Sequence, residues 1–130
     1  MQQIEHAVEV LGMDDLIVLH STSTYPAKPE ELNMKMITTL KDKFPLPIGY
    51  SGHEVGLSPS FTAAVLGAQV IERHITLDRA IWGSDQAASI EPQGLERLLV
   101  EIRGLDVSLG DGVKKVYDSE LPIIEKLRRK

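Results

Sequence analysis

Pro47-Ile48-Gly49-Tyr50-Ser51-Gly52-His53, then Ser58-Pro59-Ser60-Phe61-Thr62-Ala63-Ala64-Val65-Leu66-Gly67, then Ala68-Gln69-Val70-Ile71-Glu72-Arg73-His74 are the stretches whose reading decides the fold. The first and third are short apolar runs that each end in histidine, and the middle one reads as a short helix closed by glycine. Strand, helix and strand make a βαβ unit. Its two strands run parallel with their carboxyl ends on one side of the sheet, so both imidazoles reach the face where α/β proteins hold ligands.

Working outward, Ile4, Ala7, Val8 and Leu11 recur at helical spacing over Gln3 to Leu11, and Gly12 is placed to end that helix. Leu16-Ile17-Val18-Leu19 is a continuous apolar run, the pattern of a parallel strand buried on both faces. It leads into the polar segment His20-Ser21-Thr22-Ser23-Thr24-Tyr25-Pro26. A second helix is expected to start near Pro29 and to carry Leu32, Met36, Ile37 and Leu40 on one face until Pro45 and Pro47 stop it. On the other side of the βαβ unit, Glu91-Pro92 introduces an amphipathic helix with Leu95, Leu98, Leu99, Ile102 and Leu105, broken by Gly110-Asp111-Gly112. Ser119 to Lys130 reads as a final polar helix or linker, its basic end Arg128-Arg129-Lys130 suiting the carboxyl end of a helix dipole.

The order is α, β, α, β, α, β, α and a tail. Strands recur roughly every 25 to 30 residues, the period of (β/α) units, whereas a closed barrel of eight such units takes about 250 residues. The expected class is therefore α/β, a partial (β/α)8 TIM barrel of three β/α units. An open half-barrel exposes two sheet edges and an apolar inner face. The reading is thus a fragment or an obligate assembly, and a homo-oligomer is the expected partner arrangement.

The 130 residues are 42% hydrophobic, enough for one domain with a real core. A net charge of -5, from 14 basic and 19 acidic side chains, offers no electrostatic footprint for nucleic acid or an anionic membrane. No apolar stretch approaches the roughly 20 residues that span a bilayer. Zero cysteines exclude disulfides and thiolate metal sites, and Met1-Gln2-Gln3-Ile4-Glu5-His6 lacks the regions of a secretory signal. A soluble, cytoplasmic protein is expected.

Neutral imidazole is a good ligand for divalent transition ions, so His53 and His74 are a candidate metal pair, leaving coordination positions open for water and substrate. The competing reading makes each a hydrogen-bonding residue at a strand end with no ion. Asp85, in Trp82-Gly83-Ser84-Asp85 beyond the third strand, is placed to meet a metal-bound group or a substrate hydroxyl, or else to support a turn. Ser23 and Tyr25 are candidates to bind a polar ligand from the first strand-end loop; alternatively Ser23 is a turn residue and Tyr25 a packed ring. Ser51, two residues before His53, shares its pleat face; its other reading is a barrel-lining serine satisfied by backbone. His20 reads as a lining or packing residue and His6 as solvated. Glu72 and Arg73 must face opposite sides of their strand, as a buried ion pair or a substrate contact, with the sequence leaving open which faces where.

Four motifs in order, His20-Ser21-Thr22-Ser23-Thr24-Tyr25-Pro26, Pro47-Ile48-Gly49-Tyr50-Ser51-Gly52-His53-Glu54, Val70-Ile71-Glu72-Arg73-His74-Ile75-Thr76-Leu77-Asp78 and Gly83-Ser84-Asp85-Gln86-Ala87-Ala88-Ser89-Ile90-Glu91-Pro92, together resemble the sialic acid (N-acetylneuraminate) synthase family. The resemblance covers essentially the whole chain. It implies the carboxyl-terminal half of the family's (β/α)8 barrel, strands six to eight, in residues 1–118, with 119–130 leading toward an antifreeze-like domain. It further implies condensation of phosphoenolpyruvate with N-acetylmannosamine or a related N-acyl sugar, giving N-acetylneuraminate or a related nonulosonic acid and phosphate. In that reading His53 and His74 hold a divalent metal, manganese or magnesium; with Asp85 they form the catalytic set. Asp85 and Tyr25 contact the amino sugar, and Ser51 and Ser23 help hold phosphoenolpyruvate. The family's phosphoenolpyruvate-binding lysines and an acidic sugar contact come from the amino-terminal half-barrel and an arginine from the antifreeze-like domain, none within these residues, so the chain alone is expected to be inactive. The alternative, from another functional class, is a non-catalytic half-barrel that self-associates.

Overall fold

The computed structural model of the chain describes residues 1–128, apart from the side chain of Asp106. Three strands, β1 (Val18–Ser21), β2 (Ile48–Gly52) and β3 (Val70–Arg73), form one parallel sheet in the order β1-β2-β3. Helices α1 (Gln2–Leu11), α2 (Met36–Lys43), α3 (Ser58–Val65), α4 (Pro92–Leu109) and α5 (Leu121–Leu127) alternate with and follow the strands in the expected order.

Strand β2 is buried along its whole length because it has a neighbour on each edge. Its residues alternate between faces. Ile48 and Tyr50 point toward the helices, where they meet Val8 of α1, Ile37 and Leu40 of α2, Phe44, and Ala63 of α3 in a single core. Ile37 and Ala63 are fully shielded from solvent. Trimming one methyl group there, in Ile37→Val, is expected to cost about 0.5–1.5 kcal/mol in a urea titration.

Between α3 and β3 the chain reverses at Gly67, whose φ of 88° lies in the left-handed region that side chains disfavour. That turn returns β3 beside β2 with Gly52 opposite Arg73. The βαβ unit is therefore built as its sequence pattern indicates, and His53 and His74 each follow immediately after a strand end.

Two local expectations are corrected. The first strand lies two residues further along than the apolar run Leu16 to Leu19, because its register is set by pairing Val18 to Ile48 through Ser21 to Ser51. As an edge strand it is half-buried, with Ile17 before it exposed, so it is not covered on both faces. The second helix is interrupted: Pro29–Glu31 form a 3₁₀ turn, Asn33 adopts a φ of 42°, and the α-helix begins only at Met36. Asparagine tolerates the left-handed region better than most residues, and here it breaks the helical repeat. Leu32 is still buried, as a plug in the loop. The final helix starts at Leu121 after a 3₁₀ turn at Asp118–Glu120. Arg129 and Lys130, part of the expected basic end, lie outside the described residues. Among the described residues, no helix is long and apolar enough to cross a membrane.

Candidate functional site

Side-chain alternation puts Ser51 and His53 on the sheet face away from the helices, together with Glu72 and His74. The rings of His53 and His74 stand 5.3 Å apart between centroids, nearly perpendicular. Tyr25 closes the group, its ring 4.2 Å from that of His53 and 5.3 Å from that of His74. Two loops hold the histidine backbones in place: Ala27 N–H donates to the His53 carbonyl, and Ile90 N–H to the His74 carbonyl, each at 2.9 Å.

The hydrogen bonds of His53 determine what its ring can do. Nδ1 lies 2.8 Å from the Thr22 carbonyl, which only accepts, so in the neutral ring Nδ1 carries the proton and Nε2 presents its lone pair. Ser21 Oγ shares the Nδ1 proton at 3.3 Å. Around Nε2 stand Tyr25 Oη at 3.2 Å and Ser51 Oγ at 3.3 Å. The Ser51 proton is drawn to Glu72 Oε1 at 2.7 Å. Lone pairs of Ser51 and His53 therefore face one another, with the Tyr25 hydroxyl as donor to Nε2. His53 is buried, whereas the His74 side chain is 35% exposed and its Nδ1 stands 3.8 Å from Asp85 Oδ2.

This donor set fits a divalent ion: one imidazole fixed in the tautomer that frees Nε2, as is usual for ligating histidines, a second imidazole beside it, and oxygen atoms within reach. Among the described residues, no group of three or more His, Asp or Glu converges as a closed metal cage. His53 and His74 thus stand as a pair of imidazoles, with no third His, Asp or Glu among the described residues completing a coordination sphere around them.

Of the residues singled out in the sequence, His53, His74, Tyr25 and Ser51 are brought together, with Asp85 at the margin. Asp85 also accepts from Ser84 Oγ, and its carbonyl from Ser89 Oγ, so it supports its turn as well. Ser23 is exposed in the first loop, and the hydroxyls that reach His53 are instead those of Ser21, Ser51 and Tyr25. Ser51 is satisfied by the Glu72 carboxylate rather than by backbone. His20 packs on the helix side, where its Nε2 bonds the Leu32 carbonyl at 2.6 Å. Sequence reasoning missed Ser21 and the Thr22 carbonyl, which appear only once β1 is placed in register.

Tyr25 is 41% exposed. Tyr25→Phe is accordingly expected to change stability by no more than about 1 kcal/mol in thermal unfolding while removing the donor to His53 Nε2.

The profile of the NeuB family matches residues 1–114. The chain belongs to the NeuB family. This NeuB-family chain is 44% identical over 116 residues to N,N'-diacetyllegionaminic acid synthase of Legionella pneumophila, a match covering 89% of the chain and 33% of that protein. It is 42% identical to human N-acetylneuraminate-9-phosphate synthase, over 98% of the chain and 35% of that protein. The chain thus spans about a third of the length of these relatives. The fold agrees with a solved structure of N-acetylneuraminic acid (sialic acid) synthetase from Leptospira borgpetersenii, at a TM-score of 0.80 and 38% identity, over 99% of this chain and 47% of that one. The parallel three-stranded α/β arrangement is that of sialic acid synthase structures.

Proposed function

We propose that this NeuB-family chain is the carboxyl-terminal half of a synthase (β/α)8 barrel, its strands corresponding to strands six to eight. It would carry the metal half-site and part of the substrate pocket. The reaction in question condenses phosphoenolpyruvate with N-acetylmannosamine or a related N-acyl sugar, forming a carbon–carbon bond and yielding N-acetylneuraminate or a related nonulosonic acid and phosphate. The observation that carries this reading is the pair of imidazoles at adjacent parallel strand ends, their rings 5.3 Å apart, one of them held through Nδ1 by the Thr22 carbonyl.

His53 and His74 would hold manganese or magnesium. When bound, such an ion supplies a Lewis acid for a sugar carbonyl. The surrounding side chains orient the reactants. Tyr25 offers a hydroxyl and a ring face beside both imidazoles, which suits an amino sugar. Asp85, next to His74 and partly open to solvent, suits a sugar hydroxyl. Ser51, with its proton committed to Glu72, has lone pairs directed at the site, and Ser23 lies in the loop above. Residues 119–130 would lead toward a further domain. The working compartment is the cytoplasm, and the outer edges of β1 and β3, which pair with no further strand among the described residues, favour an oligomer.

The test is calorimetry on the folded chain, with manganese first and phosphoenolpyruvate second. Binding of manganese followed by metal-dependent binding of phosphoenolpyruvate supports the reading. No binding of either contradicts it. Turnover is not expected from these 130 residues alone.

A further inference from the structure

We propose that the buried ion pair of Glu54 and Arg73 is a positioning device for the histidine pair, fastening the ends of β2 and β3 together on the sheet face opposite the imidazoles and so fixing the separation of His53 from His74. The inference rests on reading those histidines as a metal half-site. Glu54 follows His53 directly and Arg73 directly precedes His74, so by alternation both point away from the site.

The strand ladder ends at the pairing of Gly52 with Arg73, one residue short of the histidines. Beyond it, side chains make the connection. Arg73 Nη1 donates to Glu54 Oε1 and the Gly56 carbonyl, both at 2.8 Å, and to Ser60 Oγ at 3.0 Å. Nη2 donates to the Glu54 carbonyl at 2.8 Å and the Ala88 carbonyl at 3.2 Å. One guanidinium therefore grips the residue after His53, the start of α3, and the loop that carries Asp85 and returns to the His74 carbonyl.

Glu54 is equally constrained. Its second oxygen, Oε2, accepts from Tyr50 Oη at 2.7 Å, and both charged side chains are only 3% exposed. The packing beneath is close: a Cβ on Gly52 would lie 2.9 Å from Arg73 Cδ, Glu54 Oε2 and Tyr50 Cε1. The pair can tilt little without moving the strand ends. An apolar pair would fill the same space more cheaply, whereas a charged network in which both Nη atoms are engaged, Nε alone being without a partner among the described residues, fixes one relative position of two strands.

The experiment compares the chain with Glu54→Gln, which keeps the size and removes the charge, and Arg73→Lys, which keeps the charge and removes the fork. Leu40→Ala, in the core on α2, controls for lost stability alone. At a temperature where circular dichroism finds the samples folded, manganese affinity and the imidazole ¹⁵N signals of His53 and His74 are measured. Both pair variants are expected to weaken manganese binding about 10- to 100-fold, as loss of an orienting partner does. They should also displace both imidazole signals, and Leu40→Ala should do neither. Where either pair variant fails to fold, Tyr50→Phe, which removes only the bond to Glu54 Oε2, decides by the same signals. Folded pair variants with the parent's imidazole signals, or a Leu40→Ala response as large, would overturn the proposal. A folded parent that binds no manganese overturns the metal half-site instead, and the imidazole signals then decide the positioning role alone.

Discussion

Arg73→Ala is expected to destabilise the chain by about 3–5 kcal/mol, the range for removing one partner of a buried pair. The substitution strands the Glu54 carboxylate in a site 3% exposed with only the Tyr50 hydroxyl left on its side chain. It also removes the donors to the Gly56, Glu54 and Ala88 carbonyls. Tyr50 brings no positive charge to replace the guanidinium and stays a neutral donor: its burial first, and the adjacent Glu54 second, push its hydroxyl well above the ordinary phenol range. The contrast is with Arg97 and Glu101 on α4, whose side chains are 71% and 44% exposed. An exposed pair of that kind contributes about 0–1 kcal/mol. Urea unfolding measures the difference; a loss below about 1 kcal/mol for Arg73→Ala would contradict the buried, paired character of the Glu54 and Arg73 charges.

Combined replacement, His53→Ala with His74→Ala, is expected to abolish measurable manganese binding, because the described residues offer no closed cage to take over. The two single variants separate ligation from folding. His53 is buried and bonded to Thr22, so its loss disturbs the loop as well. His74 is 35% exposed, and His74→Ala should change stability by about 1 kcal/mol or less while still removing one of two ligands. Full retention of calorimetric manganese binding in the double variant would place the ion elsewhere.

The βαβ unit was legible because three independent signals agreed: apolar runs of strand length, a helical segment closed by Gly67, and a histidine at the end of each run. Once the strands are parallel, the meeting of His53 and His74 follows from topology. The first strand was less legible. Edge pairing, not hydrophobicity, decides where it starts, and so Ser21 and the Thr22 carbonyl came to His53 unannounced. Asn33 hid the break in the second helix because the spacing of Leu32, Met36, Ile37 and Leu40 is helical on both sides of it. The opposition of Glu72 and Arg73 was visible in their adjacency, but which one faced the site depended on the pleat. The structure gives Glu72 to Ser51 and Arg73 to Glu54.

The central claim is that His53 and His74 together hold one ion. Its most direct test is the number of imidazole nitrogens coupled to manganese(II) in the loaded chain, read from electron spin-echo modulation. Two coupled imidazoles in the parent, and one in either single alanine variant, are predicted. A manganese-loaded parent with no imidazole coupling, or with coupling unchanged by either substitution, would contradict it.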